Sequence, residues 1–154
     1  MVANLLEKVV NVYESTPRLI PKGSSPIKEV EKDLYDQYDA DGSKRRLFDK
    51  LNETRIRPGD VVRVTKTDKS SFVGVLIAIN RRHLSTNILL RTKIGGTGVE
   101  ERFNIFNPAV ERVETLRVPA KRRKRSKLYF IRENTKLDVG DVDAEIRKSE
   151  RRRV

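Results

Sequence analysis

The residues best suited to chemistry lie late in the chain. Lys121, Arg122, Arg123, Lys124, Arg125 and Lys127 form a run of cations, and Tyr129 and Phe130 follow at once. Ammonium and guanidinium groups neutralise phosphates, and arginine can do so with two parallel hydrogen bonds. The two rings add planar surfaces that can stack on unpaired bases or pack on sugars. From Arg117 to Arg132 there are eight basic residues and no acidic one. Charges this dense repel one another unless neutralised, which favours a polyanion as partner over a solvated linker or a localisation signal.

Other basic groups join this run as candidate RNA contacts. Arg81-Arg82-His83 falls in the turn after the most apolar stretch, and Arg91, Lys93 and Arg102 flank a glycine-rich hairpin. Arg132 ends the basic segment. His83 has no second histidine and no cysteine to work with, so it makes neither a metal site nor a catalytic base.

Catalytic and cofactor chemistry finds no residues to carry it. The absence of cysteine removes disulfides, thiolate metal sites and thiol nucleophiles. Glu100 and Glu101 are adjacent on an expected strand and face opposite sides. Asp60 lies in a turn, where bonding to local backbone is its expected role. Asp33, Asp36, Asp39 and Asp41 lack the closing glutamate of a calcium loop and read as a solvated face. Lys93 to Gly98 superficially resembles a phosphate-cradling loop, but neither a helix pattern nor Gly-Lys-Ser/Thr follows it; a hairpin tip over Gly95–Gly98 is the reading. No metal, no cofactor and no enzymatic activity are expected.

Charge is unevenly spread. Residues 1–56 hold ten Lys/Arg and ten Asp/Glu, so the remaining 98 of the 154 residues carry the whole net charge of +12. Nucleic acid is the leading polyanion, because each phosphate contact releases counterions. An anionic membrane surface is the rival, but there is no basic amphipathic stretch with a clean apolar face, and the longest apolar run is Val75 to Ile79. The N-terminus lacks the layout of a secretory signal, and Glu7 and Glu14 interrupt any mitochondrial presequence pattern.

The elements that must position these cations follow from periodicity. Residues 3–14 place Leu5, Leu6, Val9, Val10 and Tyr13 at helical spacing; Pro17, Pro21 and Pro26 make 16–26 an extended linker. A second helix is expected over 27–38, with Ile27, Val30, Leu34 and Tyr38 on one face, and a third over 43–53, with Ser43 as its cap. Short helices of this kind are marginal alone and must pack on something. After Pro58-Gly59-Asp60 the period changes, and strands are expected over 61–66, 72–79, 86–92, 99–106 and 110–118. Gly74 inside the second strand predicts a bend or bulge there. Five short strands with tight turns suit a small barrel, which removes exposed edges by closure. The chain therefore divides into an N-terminal helical extension (1–56), a β-barrel (57–118) and a basic segment with a charged tail (119–154), the tail reading either as a charged helix or as disorder.

From Arg57 onward the motifs fall in a familiar order: RPGDVVRV (57–64), FVGVLIAI (72–79), LLRTKIGGTGVEERFNIFNP (89–108) and KRRKRSKLYFIRE (121–133). This succession resembles the bacterial-type large-subunit ribosomal protein nineteen family. Arg91, Lys93, Ile94, Gly98, Val99, Glu100, Phe103 and Pro108 keep the family's hairpin pattern; Arg122, Arg123, Arg125, Lys127, Leu128, Tyr129 and Arg132 keep much of its closing one. The resemblance implies an SH3-like barrel bound to large-subunit ribosomal RNA near the subunit interface. It also implies the third and fourteenth large-subunit proteins as neighbours and bridges to small-subunit RNA. Three departures stand out: a short turn at Thr65–Ser71, a helical extension over 1–56 without counterpart in the compact bacterial form, and a changed ending after Glu133. Extensions added to a bacterial-type core point to a mitochondrial member. The alternative is a dissociable transcription or translation factor, since small RNA-polymerase-binding barrels share the Gly-Asp-x-Val opening.

The basic excess predicts RNA binding that weakens steeply with salt. RNA affinity that hardly changed between low and moderate salt in a filter-binding titration would refute phosphate binding.

Overall fold

The computed structural model describes residues 12–14, 23–134 and 139–151. The helix expected over 3–14 lies almost wholly outside them. Two helices, α1 (Pro26–Tyr38) and α2 (Ser43–Phe48), precede five strands: β1 (Val61–Lys66), β2 (Ser71–Asn80), β3 (Asn87–Ile94), β4 (Thr97–Asn104) and β5 (Val110–Arg117). A 3-10 turn at Tyr129–Ile131 and a third helix, α3 (Val142–Arg151), follow.

The strands form one antiparallel sheet in the order β4-β3-β2-β1-β5. Side chains bring non-neighbouring strands together as the sheet curls: the rings of Phe72 on β2 and Phe103 on β4 lie 5.6 Å apart, and Lys66 on β1 reaches Glu101 on β4 at 2.9 Å. The fold is thus mainly β and barrel-like, as expected. Inside the curl, Val62, Val64, Leu76, Ile88, Leu90 and Phe103 make the principal core. The N-terminal helices belong to that core too. Phe48 and Ile56 are buried in it, and Tyr35 meets Phe106 edge to face at 5.2 Å.

The helices depart from their expected outlines. On α1 the apolar face read from sequence is exposed at its start, with Ile27 69% and Val30 57% exposed, and half-buried at Leu34 and Tyr38; Tyr35, one step round the helix, makes an edge-to-face contact with Phe106. Helix α2 stops at Phe48 rather than residue 53, and Leu51 is exposed. Local side-chain bonds end it: Asp49 accepts the Leu51 N–H, and the Asn52 amide donates to the Arg46 carbonyl. Ser43 is not the cap. The cap position is Gly42, and the N–H groups of Lys44 and Arg45 are satisfied by the Asp39 carboxylate at 3.0 and 2.9 Å. Asp39 is therefore buried by its work at the helix start and is not part of a solvated acidic face.

Strand β2 has two buried faces. Leu76 and Ile79 point into the curl, while Val73, Ile77 and Ala78 enter a second core on the opposite side with Val61, Leu89, Leu128, Ile131, Val139 and Val142. Two consecutive residues, Ile77 and Ala78, share the outer face because the pairing with β3 slips between Leu76 and Ala78. The irregularity thus sits beyond Gly74 and not at it. Gly74 answers a steric demand instead. A Cβ there would lie 2.9 Å from the Arg91 carbonyl oxygen, so only glycine lets β2 pass this close to β3. The hairpin tip between β3 and β4 is Gly95-Gly96 alone, both at positive φ; Thr97 and Gly98 are already strand.

Because Phe48 completes the principal core, Phe48→Ala is expected to cost about 3–5 kcal/mol in urea unfolding. Leu51→Ala, on the exposed stretch beyond it, should stay within about 0.5 kcal/mol.

Candidate nucleic-acid interface

After β5 the chain turns across the outer face of the sheet. Leu128 and Ile131 are buried against Ile77 and Ala78, and the Leu128 N–H donates to the Ile77 carbonyl at 3.0 Å. The slip in β2 and this bond belong together: Ile77 drops out of the ladder with β3, and its carbonyl is taken up by the arm. Between the end of β5 and this anchor, residues 118–127 form a loop that displays the basic run. Lys121, Arg123, Lys124, Arg125 and Lys127 are exposed, and none has an ion-pair partner among the described residues.

Other cations read as RNA contacts are engaged within the protein. Arg122 lies 3.2 Å from Asp60, whose carboxylate is almost fully buried and also accepts the Arg57 N–H at 2.8 Å. Asp60 thus bonds local backbone, as expected, and in addition pins the start of the arm beside β1. Arg91 and Arg132 converge on Glu100. Arg91 Nη1 donates to Oε1 at 2.9 Å, and Arg132 donates through Nε and Nη2 at 2.8 and 2.5 Å. Hydrogen bonding from Arg132 is the chief cause that holds the Glu100 carboxyl below its ordinary value; burial opposes it, and the Arg91 bond adds to it. Gly98 makes room, since a Cβ there would meet the Arg91 guanidinium at 2.5 Å. Glu101, on the other side of the strand, pairs with Lys66 instead.

Arg81 is also tied inward. Its Nε donates to the Phe48 carbonyl at 2.9 Å, and burial, then the nearby charge of Arg55, lowers its pKa. His83 takes a positive φ of 46° and sets Nδ1 3.6 Å from Glu31 on α1. Arg82 is exposed between them, with no ion-pair partner among the described residues. Lys93 and Arg102 lie on the hairpin, on the same face as Arg91 and Glu100. Tyr129 is partly exposed, with the Arg132 guanidinium 4.8 Å from its ring centre.

Phe130 was read from sequence, with Tyr129, as a ring able to stack on bases. It is half-buried against the second core, and the guanidinium carbons of Arg123 and Arg125 stand 5.5 and 5.3 Å from its ring centre. Its position within the basic segment was the available signal. Among the described residues no three His, Asp or Glu side chains converge as a metal site, and no helix is long and apolar enough to cross a membrane.

A small barrel whose outer face carries a cationic arm is the class of protein that fold and surface define. The family model for ribosomal protein L19 matches residues 43–139, and the chain belongs to that family. The match begins at α2 and reaches the second core, so residues 43–56, read from sequence as an extension without counterpart, are part of the family's own unit. Two similar proteins are both named large ribosomal subunit protein bL19m. The one from Neurospora crassa is 34% identical over 82% of this chain and 49% of its own length; the one from Schizosaccharomyces pombe is 28% identical over 83% of this chain and 75% of its own. The chain therefore spans about half the length of the first and three quarters of the second. Proteins of this family are structural and non-enzymatic.

Glu100 is the shared acceptor that fastens the arm to the β3–β4 hairpin. Glu100→Gln is expected to cost about 1–3 kcal/mol of stability. Its folded-state pKa lies below the ordinary 4.5, so its contribution is present above pH 4.5 and is lost as pH falls through the lower folded value. Thermal melts from pH 7 down to 3 should show this loss in the wild type and a shallower dependence in the variant; parallel curves would refute it.

Proposed function

We propose that the chain is a structural constituent of the large subunit of the mitochondrial ribosome. In this reading it binds large-subunit ribosomal RNA through residues 121–127, near the subunit interface. The observation that carries it is the exposed basic loop held on a rigid anchor: five cations without an ion-pair partner among the described residues, on a chain of net charge +12. Uncompensated cations at this density favour a phosphate backbone. The family assignment and the names of the two relatives support the ribosomal setting. Arg82, Lys93 and Arg102 extend the proposed contact surface, as does Tyr129. Arg91, Arg122, Arg132 and Arg81 serve it indirectly, by holding the arm and the loop after β2 in place. His83 is assigned the same supporting role through Glu31. Small-subunit RNA across the interface, and the third and fourteenth large-subunit proteins, are the proposed neighbours. The N-terminal helices, with their balanced charge, are assigned to protein contacts.

The test is co-sedimentation of the tagged chain with mitochondrial ribosomes in a sucrose gradient after a high-salt wash. Retention with the large subunit and the monosome is the expected outcome. Recovery only at the top of the gradient would favour the dissociable-factor reading. Replacing Lys121, Arg123, Lys124, Arg125 and Lys127 together by Ala should abolish retention with little change in the urea midpoint, because all five are exposed and none has an ion pair among the described residues.

A further inference from the structure

The loop of residues 118–127 borders an open concavity of about 800 Å³, lined by Lys121, Arg122, Arg123, Lys124, Arg125 and Phe130. Its size is that of a small-ligand site and not of a helical groove. Five of the six lining residues are Lys or Arg and the sixth is aromatic, so the wall is made of apolar stems and a ring with charged heads around them. We propose that this concavity is a slot for one unpaired RNA base, stacked on the ring of Phe130 with its flanking phosphates on the surrounding cations. The inference rests on the RNA-binding reading above and adds to it what part of the RNA the arm selects.

Three observations carry it. The first is that the ring is held before any ligand arrives. Phe130 lies in the 3-10 turn between the buried anchors Leu128 and Ile131, and it packs against the second core. One face of the concavity is therefore a fixed platform and not a mobile side chain. Second, two planar guanidinium groups, those of Arg123 and Arg125, already approach this ring. They show that the ring can be reached by flat groups from the loop side. A base gains more from stacking on an aromatic ring than an exposed guanidinium gains there. A base can therefore displace one guanidinium, which is then free for a phosphate. Third, the cations are divided: Arg122 is committed to Asp60, while Lys121, Arg123, Lys124 and Arg125 have no carboxylate among the described residues.

Duplex RNA does not satisfy this geometry. The deep groove of an A-form helix is too narrow for side chains to read, and its bases are already stacked. An acidic peptide would use the cations and leave the ring idle.

The experiment uses the full chain and two hairpin RNAs of equal length and charge, followed by fluorescence anisotropy. One carries a single bulged adenosine, the other an abasic spacer at the same place. The wild type is expected to prefer the base-bearing probe by about 5- to 150-fold. Phe130→Leu keeps an apolar side chain on the core; it should erase that preference and leave affinity for the abasic probe unchanged. Phe130→Tyr should retain it. Equal wild-type affinity for the two probes would overturn the slot while the RNA-binding reading stands. So would a Phe130→Leu variant that weakens both probes alike. Failure of the wild type to bind either probe would overturn both readings.

Discussion

The structure turns on a single carbonyl, freed from its ladder in the middle of a buried strand. Strand β2 is covered on both sides, so each of its backbone groups needs a partner inside the protein. At Ile77 the ladder with β3 slips, and the oxygen this frees accepts the Leu128 N–H. That bond fixes where the arm crosses the sheet. Leu128 and Ile131 then fill the outer core, and the basic loop is stretched between this anchor and the end of β5. The position of the cations is thus a consequence of backbone accounting within the sheet.

Around this anchor the charged residues split into two groups with different physics. Arg91, Arg132 and Arg122 are paired with carboxylates that are largely or fully buried, Glu100 and Asp60. Breaking such a pair leaves an uncompensated charge, so these contacts favour one arrangement of the arm over all others. The exposed cations of the loop have no such obligation. Their mutual repulsion is tolerated in the free protein because water screens it over roughly 10 Å at moderate salt. The family match runs from α2 to Val139, that is, from the helix that closes the inner core to a residue that closes the outer one.

Much of this was legible from sequence alone. The alternation and apolar runs placed all five strands close to their observed bounds, and the order of four motifs identified the family. What was not legible has common causes. Helical periodicity shows that α1 has an apolar face, but it could not reveal that the first turns of that face, at Ile27 and Val30, stay exposed while Leu34 and Tyr38 are half-buried. Ser43 looks like a cap by residue type, yet Asp39, four residues earlier, reaches the same N–H groups across a turn at Gly42. Gly74 signalled an irregularity in β2, but glycine answers to close approach as readily as to a bulge, and here it answers to Arg91. Charge type singled out the basic residues without saying which had partners. Arg91 and Glu100 sit opposite each other on paired strands, so that contact could be read from the register; Arg122 with Asp60 could not, being far apart along the chain.

The outer core also sets an order of events during synthesis. Val73, Ile77, Ala78 and Leu89 are made well before Leu128, Ile131, Val139 and Val142, which cover them. A nascent chain that has completed its five strands still presents an oily strip along β2 and an unsatisfied carbonyl at Ile77. Such half-finished surfaces are adhesive to other chains. The cationic loop emerges just ahead of the residues that seal this strip. While the strip is open, the newly made protein is therefore both sticky and strongly charged, and docking of Leu128, Ile131, Val139 and Val142 completes the outer core and sets the loop in its final place.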